Sequence, residues 1–136
     1  MFGNFELVVL GGGKGSRLKN VLKKKSKILG VVNGKTLLEN ILQNFSFIKK
    51  CNLIVNKNQK DIINFIKTKN INIKLFKEIA PLGDAGCLKE LKKISNYEKK
   101  NFIIVPGDLY CSINVKKFLK FHLNKNSKLT LMVHPS

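Results

Sequence analysis

The chain of 136 residues contains no tryptophan, two tyrosines, three prolines, three cysteines and eight acidic residues. Having two tyrosines and no tryptophan for stacking counts against a nucleic-acid-binding module. With 43% of residues hydrophobic and ten glycines without a repeat, the composition also excludes a disordered tail and a collagen-like fibre. Leu7 to Leu10 is the longest early apolar run, far short of the roughly 20 residues of a membrane span, and no basic residue precedes it as in a signal peptide. A cytoplasmic chain is therefore expected. Cys51, Cys87 and Cys111 form no Cys-x-x-Cys pair and have only His122 and His134 to assist them, so reduced thiols in or near the core are expected.

Acidic residues are scarce against 26 basic ones, giving a formal charge of +18. Such an excess ordinarily points to nucleic acid or an anionic surface. Here 25 of the basic residues are lysine, and Lys, Asn and Ile fill 55 of the 136 positions. That profile is one of compositional drift, which spreads lysines over every solvated face. Arg17, the single arginine, then stands where lysine does not serve, and planar bidentate recognition of phosphate is the usual reason.

What the chain does have is the length for one core, burying roughly two-thirds of its unfolded surface, and a regular alternation of apolar patterns. Phe5 to Leu10 reads as a buried strand, followed by a Gly-rich segment at 11–15. Helical spacing recurs in Thr36 to Phe45, Gln59 to Lys67, about Ala85 to Ile94, and 114–123. Further strands are predicted at Leu53 to Val55, Ile71 to Phe76 (half-exposed), Phe102 to Val105 (fully buried) and Leu129 to Val133. Five strands separated by helices imply an α/β fold, a Rossmann-like three-layer sandwich with a mostly parallel sheet, in a single domain.

Ligands bind such sheets at the carboxyl ends of the strands. Three features fall there: Gly11-Gly12-Gly13-Lys14-Gly15-Ser16-Arg17 after the first strand, the Pro81-Leu82-Gly83 loop, and Asp108 after the fourth. The glycine loop offers unhindered backbone N–H groups, a hydroxyl and two cations, which suits a polyphosphate. It matches neither the P-loop pattern nor Gly-x-Gly-x-x-Gly. Glu78 and Asp84 flank the Pro81 loop, and a carboxylate there suits the N1–H and N2–H₂ donors of guanine.

Gly12-Gly13-Lys14-Gly15-Ser16-Arg17-Leu18, then Lys27, then Gly34-Lys35 before an apolar helix, resembles the sugar-phosphate nucleotidylyltransferase family. Pro81-Leu82-Gly83-Asp84-Ala85-Gly86 and Val105-Pro106-Gly107-Asp108 continue the resemblance in the same order, and it runs through nearly the whole chain. Within that family the wording is most similar to the branch of heptose 1-phosphate and mannose 1-phosphate guanylyltransferases. The resemblance implies that Gly11, Gly12, Gly13, Gly15, Ser16 and Arg17 hold the NTP, with Arg17 stabilising charge on the leaving pyrophosphate. It implies that Lys27 contacts the α-phosphate, that Pro81 and Gly83 cover the base, and that Asp108 holds Mg²⁺. The implied substrates are an NTP, GTP favoured, and a sugar 1-phosphate, in the supply of precursors for surface polysaccharide or lipopolysaccharide.

The chain departs from the family in three ways. The family's Pro-Lys-Pro is Ser26-Lys27-Ile28, which predicts a less rigidly aimed lysine. Asp84 replaces a threonine, placing negative charge near a polyphosphate site. Family members also continue well past this length, so a second copy or a partner chain is an expected complement to the site. Two other classes compete: a non-catalytic nucleotide- or sugar-sensing subunit, favoured by Asp84, and a nucleic-acid-binding module, favoured by charge alone. Outside the family setting Lys27 belongs to a basic run, Asp108 to a turn, and His122 to a structural helix position.

Overall fold

The computed structural model describes residues 1–12, 25–78, 86–94, 96–110 and 112–133. Strand β1 (Phe5–Leu10) is flanked by β4 (Cys51–Asn56) and β6 (Asn101–Pro106), and β5 (Lys74–Glu78) lies outside β4. The order is β5-β4-β1-β6, and every pairing in this sheet is parallel. A short antiparallel hairpin, β2 (Val31–Val32) and β3 (Lys35–Thr36), stands apart from it.

Side chains alternate across the sheet, and each face has its own core. Phe5, Leu7 and Val9 of β1, with Leu53 and Val55 of β4 and Ile103 and Val105 of β6, meet three helices: α1 (Leu37–Asn44), α2 (Lys60–Thr68) and α3 (Val115–Asn124). Leu38 and Ile41, Ile62 and Ile66, and Val115 and Leu119 are their buried faces. The opposite face of the sheet is covered more thinly. Val8, Ile54 and Phe76 meet Leu91 of a 3₁₀ stretch, Cys87–Lys93, and Ile94 just after it. A three-layer sandwich results, as the alternation in the sequence predicts.

Local signals set the element ends. Thr36 caps α1 in a complete capping box: its hydroxyl accepts from the Glu39 N–H while the Glu39 carboxylate accepts from the Thr36 N–H, worth about 1 kcal/mol. At Asn33-Gly34 both residues have positive φ, 53° and 78°, the geometry of a two-residue hairpin turn.

Four expectations need correction. The strand predicted at Ile71 to Phe76 forms at Lys74–Glu78 instead, because pairing with β4 runs Asn52↔Lys74 to Asn56↔Glu78. Phe102 to Val105 is an edge strand among the described residues rather than a fully buried one, and Ile104 is 43% exposed on the thin side. The helix at Ala85 to Ile94 is a 3₁₀ stretch over Cys87–Lys93, and Ala85 lies outside the described residues. Leu129 to Val133 forms no strand: Leu129, Leu131 and Val133 are strongly exposed and no ladder pairs them, although the Thr130 hydroxyl meets His122 Nδ1 at 2.8 Å. His122 also lies edge-on to Phe5.

The topology defines the site. The order in which strands are added reverses at β1, with β4 and β5 to one side and β6 to the other, all running in the same direction. A crevice therefore opens beyond the carboxyl ends of β1 and β6, where open α/β sheets take ligands.

Candidate nucleotide site

Gly11 extends β1 by one hydrogen bond, its N–H donating to the Ile54 carbonyl at 2.8 Å. Gly12 then passes over Glu78, at the end of β5. A Cβ on Gly12 would lie 2.6 Å from Glu78 Oε2, so any side chain there must displace the carboxylate. Glu78 is 5% exposed. The sequence places Glu78 beside the base loop; the structure puts its carboxylate against Gly12.

The other wall comes from β6. The Gly107 N–H donates to the Leu10 carbonyl at 2.8 Å, tying the ends of β6 and β1 together. A Cβ on Gly107 would lie 2.7 Å from that carbonyl oxygen and 2.8 Å from Ile28 Cδ1. Glycine here lets the 3₁₀ turn Lys27–Leu29 pack directly on the strand ends through buried Ile28 and Leu29. Lys27 and Asp108 are thereby brought together, Nζ to Oδ2 at 3.5 Å, with the lysine side chain 29% exposed and the aspartate 54%. Nearby, Asn33 at the hairpin tip donates to the Tyr110 hydroxyl at 2.9 Å, fastening the hairpin to the segment after β6.

Ser26 donates its backbone N–H to Asp61 Oδ2 at 2.6 Å and its hydroxyl to Asp61 Oδ1 at 2.9 Å. Gln59, the residue before α2, donates from Nε2 to the Gly11 carbonyl at 2.8 Å and to Ser26 Oγ at 3.3 Å, while its Oε1 accepts from the Asn56 N–H at 2.8 Å. Hydrogen bonds from the start of α2 thus hold Ser26, the residue before Lys27. Sequence reading missed Gln59 and Asp61, for which the only signal was an acidic residue in the first turn of a predicted helix.

Lys27, Asp108, Gly11, Gly12 and Glu78 therefore gather at the carboxyl ends of β1, β5 and β6. Gly13, Gly15, Ser16, Arg17, Pro81, Gly83 and Asp84 lie outside the described residues. Among the described residues no three His, Cys, Asp or Glu side chains cluster to hold a metal. Asp108 alone suits an ion such as Mg²⁺, which uses one or two carboxylates and completes its shell with substrate phosphates and water. No described helix is long and apolar enough to cross a membrane.

The profile of a nucleotidyl transferase family matches residues 6–136. The chain belongs to the nucleotidyl transferase family. Among the relatives of this chain, a Sulfolobus acidocaldarius protein provisionally named a mannose-1-phosphate guanyltransferase is 32% identical over 128 residues, 91% of this chain and 35% of that one. The D-glycero-alpha-D-manno-heptose 1-phosphate guanylyltransferase of Campylobacter jejuni is 31% identical over 124 residues, 88% of this chain and 54% of that one. In solved form, HddC from Yersinia pseudotuberculosis, complexed with GMP-PN, superposes with a TM-score of 0.69 at 29% identity, covering 88% of this chain and 54% of HddC. The chain thus spans about half the length, or less, of the relatives it matches.

Proposed function

We propose that this chain carries the nucleotide-binding part of a sugar-phosphate nucleotidylyltransferase that transfers a nucleotidyl group, guanylyl favoured, to a sugar 1-phosphate. The observation that carries this reading is the pairing of Lys27 with Asp108 beside the Gly11-Gly12 turn, at the switch point of the sheet. A triphosphate laid on the glycine loop would present its α-phosphate to Lys27. Arg17 would meet the β- and γ-phosphates with its planar fork.

In the reaction, a phosphate oxygen of the sugar 1-phosphate attacks the α-phosphorus in line. The new P–O bond forms as the bond from the α-phosphorus to the bridging oxygen breaks, and that oxygen leaves on pyrophosphate. The nucleophile is already an anion, so no general base is needed and catalysis rests on position and charge. Lys27 neutralises charge accumulating on the α-phosphoryl oxygens, and Arg17 that on the departing pyrophosphate. Asp108 would hold Mg²⁺, which supplies Lewis-acid polarisation of the phosphoryl oxygens when bound. A cytoplasmic place in the making of nucleotide-sugars for surface polysaccharide fits these substrates and the heptose and mannose names of the relatives.

Calorimetric titration with GTP, CTP, UTP, dTTP and ATP in Mg²⁺, followed by a pyrophosphate assay with mannose 1-phosphate and heptose 1-phosphate, tests the proposal. Selective GTP binding that Arg17→Ala abolishes supports it, and turnover separates an enzyme from a nucleotide sensor or a half-site that needs a partner chain. Absence of binding to every nucleotide overturns it.

A further inference from the structure

Between the glycine loop and Lys27 lies a hydrogen-bonded junction that the transfer chemistry does not itself use. Its members come from the start of α2: Gln59, whose amide bonds the Gly11 carbonyl and Ser26 Oγ, and Asp61, whose two carboxylate oxygens take the N–H and O–H of Ser26. Ser26 is the residue before Lys27, and Gly11 opens the glycine loop. The two parts of the phosphate site are thus hung from one helix end.

We infer that Asp61 and Gln59 are positioning residues, which set Lys27 at a fixed distance from the glycine loop so that both meet one triphosphate. This inference rests on the nucleotide-binding reading above. Three features support it. The fork from Asp61 leaves Ser26 neither of its donors for solvent, so the residue cannot rotate without breaking two bonds. Gln59 is itself fixed through the Asn56 N–H, at the end of β4, so the junction is anchored in the sheet. Ser26 has φ −63° and ψ 139°, values a proline adopts freely. The backbone therefore already has the shape that a proline before the lysine would impose, held by side chains instead of a ring.

That last point supplies a rescue. Asp61→Ala removes the fork, and adding Ser26→Pro restores the restraint on φ without needing the acceptor. The test measures affinity for Mg²⁺ and GTP by calorimetry in the wild type, Asp61→Ala, Lys27→Ala, the double variant Asp61→Ala/Lys27→Ala, and Asp61→Ala/Ser26→Pro. Amide hydrogen exchange at Ser26 is followed in the variants that keep the serine, and thermal unfolding in all of them. Asp61→Ala is expected to weaken binding about tenfold, to lose that effect when Lys27 is already alanine, and to regain most of it with Ser26→Pro. Protection of the Ser26 amide in the wild type is expected to vanish in Asp61→Ala.

Full GTP affinity in Asp61→Ala overturns the inference while the nucleotide-binding reading stands. So does an Asp61→Ala cost that is undiminished in the Lys27→Ala background and unrelieved by Ser26→Pro, because a residue acting only on stability behaves in that way. A Ser26 amide that exchanges freely in the wild type overturns the junction itself. If the wild type binds no nucleotide, the functional reading fails and the positioning role with it, whereas the exchange data still report whether the junction exists.

Discussion

Lys27 and Asp108, 81 residues apart in sequence, meet at 3.5 Å where the ends of β1 and β6 are tied together. Both side chains are partly exposed, so the pair contributes about 0–1 kcal/mol to stability. Its place in the crevice matters more than its energy. Asp108→Asn is therefore expected to leave the melting temperature nearly unchanged while weakening Mg²⁺-dependent nucleotide binding by at least about tenfold, since even outer-shell partners of a metal site matter to that extent. Parallel calorimetry with and without Mg²⁺ checks this, and an equal loss in both would remove Asp108 from any role with the metal.

Gly107 predicts a different signature. A methyl group there would meet the Leu10 carbonyl oxygen, which is fixed in the sheet, and Ile28 Cδ1, at 2.7 and 2.8 Å. The side chain of Ile28 can yield, but the carbonyl cannot move without parting β1 from β6. Gly107→Ala is expected to cost about 1–3 kcal/mol, seen as a lower midpoint in urea. It also pushes the Lys27–Leu29 turn outward, so nucleotide affinity should fall with stability, unlike in Asp108→Asn.

How much of this was legible in the sequence differs by element. Apart from Glu6, Phe5–Leu10 is apolar, and it is buried on both faces, so its strand could be read directly, and α1 announced itself through Thr36 and Glu39. Asp108 could be placed because Pro106-Gly107-Asp108 follows an apolar run. The hairpin at Asn33-Gly34 was equally legible, since Asn-Gly between short strands is a turn signal. Other features depend on tertiary partners. Pairing with β4 rather than local pattern moved β5 toward Glu78, and Leu129 to Val133 has strand composition but no ladder. Gln59 and Asp61 look like any polar helix start, and only the approach of Ser26, 35 residues from Asp61, gives the carboxylate a task.

Cys51 gives a chemical probe of the core. Burial raises its thiol pKa from 9.0 to about 12, because the thiolate would be stranded among apolar side chains at the edge of the larger core. Reactivity follows the thiolate, so Cys51 is expected to resist iodoacetamide at pH 8 in the native protein and to react fully in denaturant. Peptide mass mapping reads the outcome. Labelling of native Cys51 at the rate of a free thiol would mean that β4 opens readily.

The acid limit of stability is set in part at Glu6. Burial raises its pKa, but hydrogen bonds from Asn52 and Lys100, with the charges of Lys100 and Lys50, outweigh that and hold it below 4.5. The Thr36 N–H and hydroxyl likewise lower Glu39. A carboxylate with a lowered folded pKa contributes stability above its unfolded value and loses it as pH falls through the folded value. Lys100, raised from 10.5 by its hydrogen bond to Glu6, behaves oppositely: its contribution is present below 10.5 and lost as pH rises through the folded value. These groups thus predict constant stability between about pH 5 and 10 and a decline below 4.5. Thermal unfolding from pH 2.5 to 7 checks this, and Glu6→Gln should flatten the acid limb while lowering stability at pH 7.

Arg17 is the last prediction and the one most dependent on sequence. In a chain with 25 lysines, retention of one arginine in a Gly-rich loop implies a task that a point charge does not perform. Guanidinium presents parallel N–H donors to two phosphate oxygens, whereas an ammonium group offers charge without that fork. Arg17→Lys keeps the charge, and so should retain the salt dependence of nucleotide binding while losing about 10–100-fold in affinity. Arg17→Ala should lose both. Measuring affinity at two salt concentrations for each variant separates the two contributions, and a lysine variant equal to wild type would show that Arg17 acts as charge alone.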